Sequence, residues 1–200
     1  MTPESRYFDR FLRKSKLQFA GRVLDVGCGN GRFSRRIAQQ AEHVVAIDVA
    51  PHDEWNQAQS GLEFAVGNAE ELAFPDRSFD TVFAMNMLHH TESPARAIGE
   101  IHRVCKPGGQ IIIVEPNRWN PLGYVHLTLM GNHQHFPTRR FLELARGGLS
   151  TPELRQFECH CYPVPTALLA VAEVVEDVLD KVPFWKPFVF YNIVLSRKCA

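Results

Sequence analysis

The run Val23-Leu24-Asp25-Val26-Gly27-Cys28-Gly29-Asn30-Gly31 constrains this chain more than any other stretch. Its apolar opening reads as a parallel strand buried on both faces. Its three alternating glycines read as a sharp turn into a helix, where the backbone approaches a ligand closely because no Cβ intervenes. A strand, a tight turn and a helix start in that order make a cradle for a nucleotide-like cofactor. The spacing narrows which one. A nicotinamide fingerprint needs its third glycine one residue later, where Arg32 stands, and a phosphate-binding loop needs Gly-Lys-Ser/Thr, which is absent here.

The rest of the first half supports an α/β sheet covered on both faces. Strands are expected at residues 22–27, 43–48, 62–66, 80–85 and 110–115, with helices at 31–40 and 94–104 between them. Pro94 suits a first helical turn, and Ala97, Ile98, Ile101 and Val104 make one apolar stripe. Lys106-Pro107-Gly108-Gly109 is expected to turn the chain into the fifth strand. Tyr7, Phe8, Phe11 and Leu12 recur at helical spacing and predict a leading helix over the ligand cleft.

The second half is less regular. Residues 119–131 are aromatic and broken by Pro121 and Gly123, as in a short helix or lid. A helix at 138–146 is expected to be capped by Thr138 and ended by Gly147-Gly148. Strands are expected at 154–162 and 188–196. Between them, residues 166–179 read as an amphipathic helix. Leu168, Leu169, Ala172, Val175 and Leu179 should face the sheet, with Glu173, Glu176, Asp177 and Asp180 elsewhere. Residues 183–188 read as a rigid aromatic loop. One domain over 1–200 is expected, with 116–150 and 163–187 as cap segments on the substrate side.

Bulk properties exclude several classes. Twenty-two basic residues balance twenty-two acidic ones, which gives no support for general nucleic-acid binding. The five cysteines include no Cys-x-x-Cys pair and are expected to be reduced. The polar, charged start predicts no signal peptide, no apolar run is long enough for a transmembrane helix, and a cytoplasmic location is expected.

Further landmarks agree with the glycine loop. Asp48 ends the second strand. Val66-Gly67-Asn68-Ala69-Glu70-Glu71-Leu72-Ala73-Phe74-Pro75-Asp76-Arg77-Ser78-Phe79-Asp80 follows the third. Leu88-His89-His90 and Arg103-Val104-Cys105-Lys106-Pro107-Gly108-Gly109 come after the fourth. With Asp25-x-Gly27-x-Gly29-x-Gly31 they resemble the class I S-adenosylmethionine-dependent methyltransferases of the small-molecule and quinone-biosynthesis kind (methyltransferase type 11). The likeness covers residues 21–115 closely.

That resemblance implies a Rossmann-like, mostly parallel seven-stranded sheet, ordered 3-2-1-4-5-7-6 with strand 7 antiparallel. It implies S-adenosyl-L-methionine as cofactor and S-adenosyl-L-homocysteine as product. Gly27, Cys28, Gly29 and Gly31 should lie along the methionyl and ribose parts. Asp25 should orient the loop and reach the methionyl amino group, and Asp48 should accept from the ribose hydroxyls. Asn68 and Ala69 should meet the adenine edge, with Val49 packed on the adenosine and Asn86 near the methionyl group.

The acceptor is expected to be a small molecule, aromatic or partly apolar. His89 and His90 are the nearest candidates for a base, because histidine titrates near neutral pH. Glu115, Asn117, Arg118, His126, His133 and His135 follow the fifth strand and are candidates to contact the acceptor. His133-x-His135 has a metal-like spacing, but no neighbouring carboxylate or cysteine completes it, and no metal is expected. No Asn/Asp-Pro-Pro-Tyr/Phe motif follows the fourth strand, where Asn86-Met87-Leu88-His89 stands, which disfavours nucleobase amines. The alternatives are a protein or tRNA acceptor, or a non-catalytic partner protein that retains the cofactor fold. The chain is expected to be a monomer or homodimer.

Overall fold

The structure, a computed structural model, describes residues 3–125, 135–159 and 166–199. Its sheet has the order β3-β2-β1-β4-β5-β7-β6. The strands are β1 (Arg22–Val26), β2 (His43–Asp48), β3 (Leu62–Val66), β4 (Phe79–Met85), β5 (Cys105–Pro116), β6 (Glu153–Phe157) and β7 (Tyr191–Arg197). Strand β7 runs antiparallel to both its neighbours, while β3, β2, β1, β4 and β5 are parallel. This is the expected order and sense. Its helices are α1 (Pro3–Ser15), α2 (Arg32–Ile37), α3 (Pro94–Val104), the single turn α4 (Pro121–Gly123), α5 (Thr138–Gly148) and α6 (Leu169–Leu179).

Alternation along β1 builds the two faces. Leu24 and Val26 join a core with Ile98, Ile101 and Phe141, from α3 and α5. Val23 points the other way, into a core with Phe11 of α1 and Phe33 and Ile37 of α2. Both faces are thus dry, which is why the strands read as continuous apolar runs. The aromatic side chains of the second core meet edge to face: Phe11 against Phe33 at 5.3 Å and against Tyr191 at 5.4 Å between ring centroids.

Three expectations need correction. Lys106-Pro107-Gly108-Gly109 is part of β5, not a turn before it. Its backbone is claimed by the end of the chain: Gly108 N–H donates to Lys198 O (2.8 Å) and Lys198 N–H to Gly109 O (3.0 Å). Gly147 and Gly148 lie inside α5 rather than ending it, and Thr138 does not cap it. The Thr138 hydroxyl instead lies 3.3 Å from Asn117 Oδ1 and 3.2 Å from Asn192 Oδ1.

The third correction concerns α6, whose orientation is the reverse of the one expected. Its acids face α1: Arg10 Nε donates to Glu176 Oε2 (2.8 Å), Arg6 to Glu173 (2.9 Å) and Lys14 to Asp180 (2.7 Å). Arg10 and Glu176 are both buried. Of the apolar residues only Leu169 is among the buried ones, whereas Val171, Val174, Val175 and Val178 are exposed, as is Phe184 at 78%. A basic stripe on α1 needs counter-charges once covered, because an unpaired buried charge costs far more than exposed valines. The predicted strand at 154–162 is described only as Glu153–Phe157, since residues 160–165 lie outside the described part.

Glu158, just beyond β6, joins the same seam. Its carboxylate accepts from Trp185 Nε1 (3.0 Å) and Asn120 Nδ2 (3.3 Å). Burial, above all, raises its pKa from 4.5 to about 7; Glu176 and Asp180 add to the rise, while the Trp185 hydrogen bond and Lys14 oppose it. A carboxyl whose folded pKa exceeds its unfolded value is destabilising when ionised. Its cost is absent below the unfolded pKa and fully present above the folded one. Glu158→Gln should therefore gain on the order of 2 kcal/mol over the native chain at about pH 8 and nothing at about pH 4. Urea unfolding at both pH values checks this, and a gain that is equal at both refutes it.

Candidate functional site

The site sits beyond the carboxyl ends of β1, β2 and β4, beside the switch in strand order where an open α/β sheet binds its ligand. There the chain leaves β1 through Gly27, at φ +76°. A Cβ at Gly27 would come 2.5 Å from Met87 Cβ, so glycine lets the loop lie against the β4 exit. Gly29 (φ +53°) is different: an added Cβ would meet nothing within 4 Å, so this backbone faces open space.

Asp48 closes the other side. Its Oδ2 accepts from Gly29 N–H (2.7 Å) and its Oδ1 from Val49 N–H (2.8 Å). Asp25 lies beneath the loop, buried, and accepts the Ser34 hydroxyl at 2.6 Å. Burial pushes Asp25 up to about 7; the Ser34 hydrogen bond opposes this and the Asp48 charge adds to it. Burial likewise pushes the Cys28 thiol well up, so it is an un-ionised wall of the loop.

Two cavities meet here. The larger, about 940 Å³, is lined by Gly27, Gly29, Asp48, Val49, Asn68, Ala69 and Asn86, together with His90. The smaller, about 300 Å³, is lined by Asp25, Cys28, Tyr7, Arg32 and Tyr191. Gly27 and Asn86 line both. Of the residues expected at the cofactor, only Gly31 lines neither; a Cβ there would strike the Phe64 ring. Asn86 holds a left-handed backbone (φ +55°) rare for a side chain larger than glycine. Its Oδ1 is buried and meets no hydrogen-bond donor among the described residues. A buried acceptor without a donor is costly, so it marks a place where a ligand donor fits.

The loop carrying Asn68 and Ala69 is clamped from below. Glu70 Oε1 accepts the N–H groups of Glu92 (2.8 Å) and Ser93 (3.1 Å), and Glu100 Oε2 accepts that of Leu72 (2.8 Å). None of these clamps is readable from sequence, since each joins residues more than twenty positions apart. The same holds for Tyr7 and Tyr191, whose hydroxyls lie 2.7 Å apart at the smaller cavity.

The residues expected to touch an acceptor are scattered. Glu115 is fully buried. Its Oε1 accepts from Met87 N–H (3.0 Å) and Leu88 N–H (2.8 Å), and its Oε2 lies 2.6 Å from His89 Nδ1. It fastens the β4 exit and lines neither cavity. Asn117 is tied into the fold too: it donates to Pro187 O and Val189 O and accepts from Trp119 N–H. His89 is buried between two imidazoles, 4.0 Å from His90 and 4.3 Å from His135 by ring centroids, and His90 alone of the three lines the larger cavity. Arg118 is half-buried, with its N–H on Phe136 O. His126 and His133 lie outside the described residues.

Known proteins resemble this chain in sequence and in fold. Residues 24–113 match the family described as "Methyltransferase domain". An uncharacterized methyltransferase of Mycobacterium tuberculosis is 34% identical over 153 residues, which is 75% of this chain and 62% of the relative. A ubiquinone biosynthesis O-methyltransferase of Xanthomonas euvesicatoria is 38% identical over 112 residues, 52% of this chain and 47% of the relative. The chain thus spans about half to two thirds of the length of these curated relatives. Among solved structures, phosphoethanolamine N-methyltransferase 2 of Haemonchus contortus, in complex with S-adenosyl-L-methionine, superposes with a TM-score of 0.66 at 18% identity. That match covers 98% of this chain and 53% of the other. From β1 to β5 the residues match the methyltransferase domain, and the chain as a whole has the fold of the class I S-adenosylmethionine-dependent methyltransferases.

Proposed function

We propose that this chain transfers the methyl group of S-adenosylmethionine to a small, aromatic or partly apolar acceptor. The observation that carries the reading is the junction of the two cavities at Gly27 and Asn86, with the Asp48 carboxylate on the wall of the larger one. When bound, S-adenosylmethionine supplies a methyl group activated by its sulfonium sulfur. The residues present suit that group. Asp48 offers a carboxylate to paired ribose hydroxyls, and Asn68 with the Ala69 backbone offers both donors and acceptors to an adenine edge. Val49, 72% exposed, offers apolar surface to the adenosine. Asn86 Oδ1 and the Asp25 carboxyl suit the methionyl amino group, and the open backbone at Gly29 admits the ligand closely.

The chain's own work is to orient two reactants and keep water out. Tyr7 and Tyr191 put aromatic surface and hydroxyls on the smaller cavity, which suits a flat, partly polar acceptor. A neutral oxygen or nitrogen acceptor loses a proton as its new bond to the methyl carbon forms. His90, on the wall of the larger cavity that meets the smaller one at Gly27 and Asn86, is the candidate to take that proton, with His89 and Glu115 behind it. The chain works as a single domain, monomeric or homodimeric, with a substrate-side cap drawn from segments 116–150 and 163–187 outside α5, which packs in the core. Among the described residues no helix is long and apolar enough to cross a membrane.

The test is incubation with cofactor labelled at its methyl group and a fractionated cell extract. Label is expected in a small molecule that partitions into organic solvent, together with S-adenosylhomocysteine. Label in RNA or protein would overturn the acceptor class, and tight cofactor binding without turnover would favour a partner protein.

A further inference from the structure

The fold brings together three residues that are far apart in sequence and share no motif. Glu115 is the penultimate residue of β5, His89 lies in the 3-10 turn Leu88–His90, and His135 precedes α5. Each offers one ligand atom, and these atoms all lie within 4.8 Å of one another. All three side chains are buried: Glu115 and His135 are 0% and 5% exposed, and the His89 side chain is 3% exposed.

We propose that His89, Glu115 and His135 bind one first-row divalent cation of the zinc class. The donor set is chemically apt, since two neutral imidazoles and one carboxylate suit a borderline-soft cation that needs three protein ligands and keeps a place for another. The carboxylate is already built for the task. Its Oε1 is fixed by the Met87 and Leu88 N–H groups, so Oε2 is held toward His89 as an oriented donor. Zinc ligands at about 2.0–2.2 Å from the ion stand roughly 3.3–3.6 Å from each other, so His89 Nδ1 and Glu115 Oε2, now 2.6 Å apart, would part by about 1 Å while the more distant atoms draw in by about as much. A hydrogen bond now joins His89 Nδ1 and Glu115 Oε2, and a cation held by both would replace it.

The rival account is an ion-free His–Glu pair that only braces the β4 exit. It predicts no saturable metal binding. Local sequence shows none of this, since His133-x-His135 has no carboxylate near it and Glu115 lies twenty residues upstream of His135. The proposal stands apart from the methyl-transfer reading, and its readout is spectroscopic.

The experiment titrates Co²⁺ into untagged, chelator-treated full-length protein and follows visible d–d absorption. Saturation at one equivalent is expected, reversed by Zn²⁺. His135→Gln and Glu115→Gln should each weaken binding about 10- to 100-fold or more, while thermal melting shows that the variants fold. His43→Ala, at an exposed histidine paired with Glu63, should bind as the native chain does. No saturable absorption, or an unchanged spectrum in His135→Gln, would overturn the site, as would loss of binding in His43→Ala.

Discussion

Asp48→Ala should weaken S-adenosylmethionine binding about 100-fold or more, as read by calorimetry. Two charge-assisted hydrogen bonds to ribose hydroxyls are worth about 1.5–3 kcal/mol each. Losing both therefore costs on the order of 3 kcal/mol or more, and each 1.4 kcal/mol is tenfold. Part of that loss falls on the loop itself, because Asp48 also accepts the Gly29 and Val49 N–H groups. Asp48→Asn separates the two contributions. It keeps an oxygen for the backbone but not the charge, so its loss should be smaller, at about tenfold. If Asp48→Ala binds the cofactor within threefold of the native chain, the assignment of the larger cavity to the ribose is wrong.

Gly27→Ala should unfold more readily than Gly29→Ala, the methyl addition two residues on. The left-handed backbone costs an L side chain about 1–2 kcal/mol. The new methyl would also press on Met87, and overpacking costs about 1–3 kcal/mol more. A chain of this size loses about 2–4 °C in melting temperature for each kcal/mol, so the expected fall is roughly 5–15 °C. Gly29→Ala is the informative partner. It carries the same kind of backbone strain, but its methyl meets nothing within 4 Å. It should cost only the strain in stability, while obstructing the face left open to the cofactor. Melting curves and calorimetry on the pair decide the matter: if Gly29→Ala proves the less stable of the two, the packing account of the loop fails.

Much of the first half was legible because its physics is local. Buried parallel strands announce themselves as apolar runs bounded by turn residues, and β2 falls on the residues expected, as does the more exposed edge strand β3. The alternate glycines turn the chain within one loop, and the parallel pairing of β1 with β2 brings Asp48 back beside Gly29, nineteen residues away. The strand order needed more than pattern, and came from the resemblance.

The errors have a common cause in partners distant along the chain. Lys106-Pro107-Gly108-Gly109 has turn chemistry by composition, yet Lys198 pairs with it and holds it as strand. The valine-rich α6 has a face that fits a sheet, yet Arg6, Arg10 and Lys14 of α1 lie more than 150 residues upstream and draw its acids inward instead. Glu115 and Asn117 look like free polar groups after a strand, yet backbone N–H and C=O groups from other loops consume them.

Sequence by itself therefore determined the glycine turn at the end of β1, whose geometry follows from φ angles and spacings within a few residues. Only the tertiary structure decided how charge is buried. A carboxylate, an imidazole or a guanidinium enters the interior only beside its partner. For Arg10, Asp25, Glu115 and His89, those partners come from elements that the chain brings together only on folding.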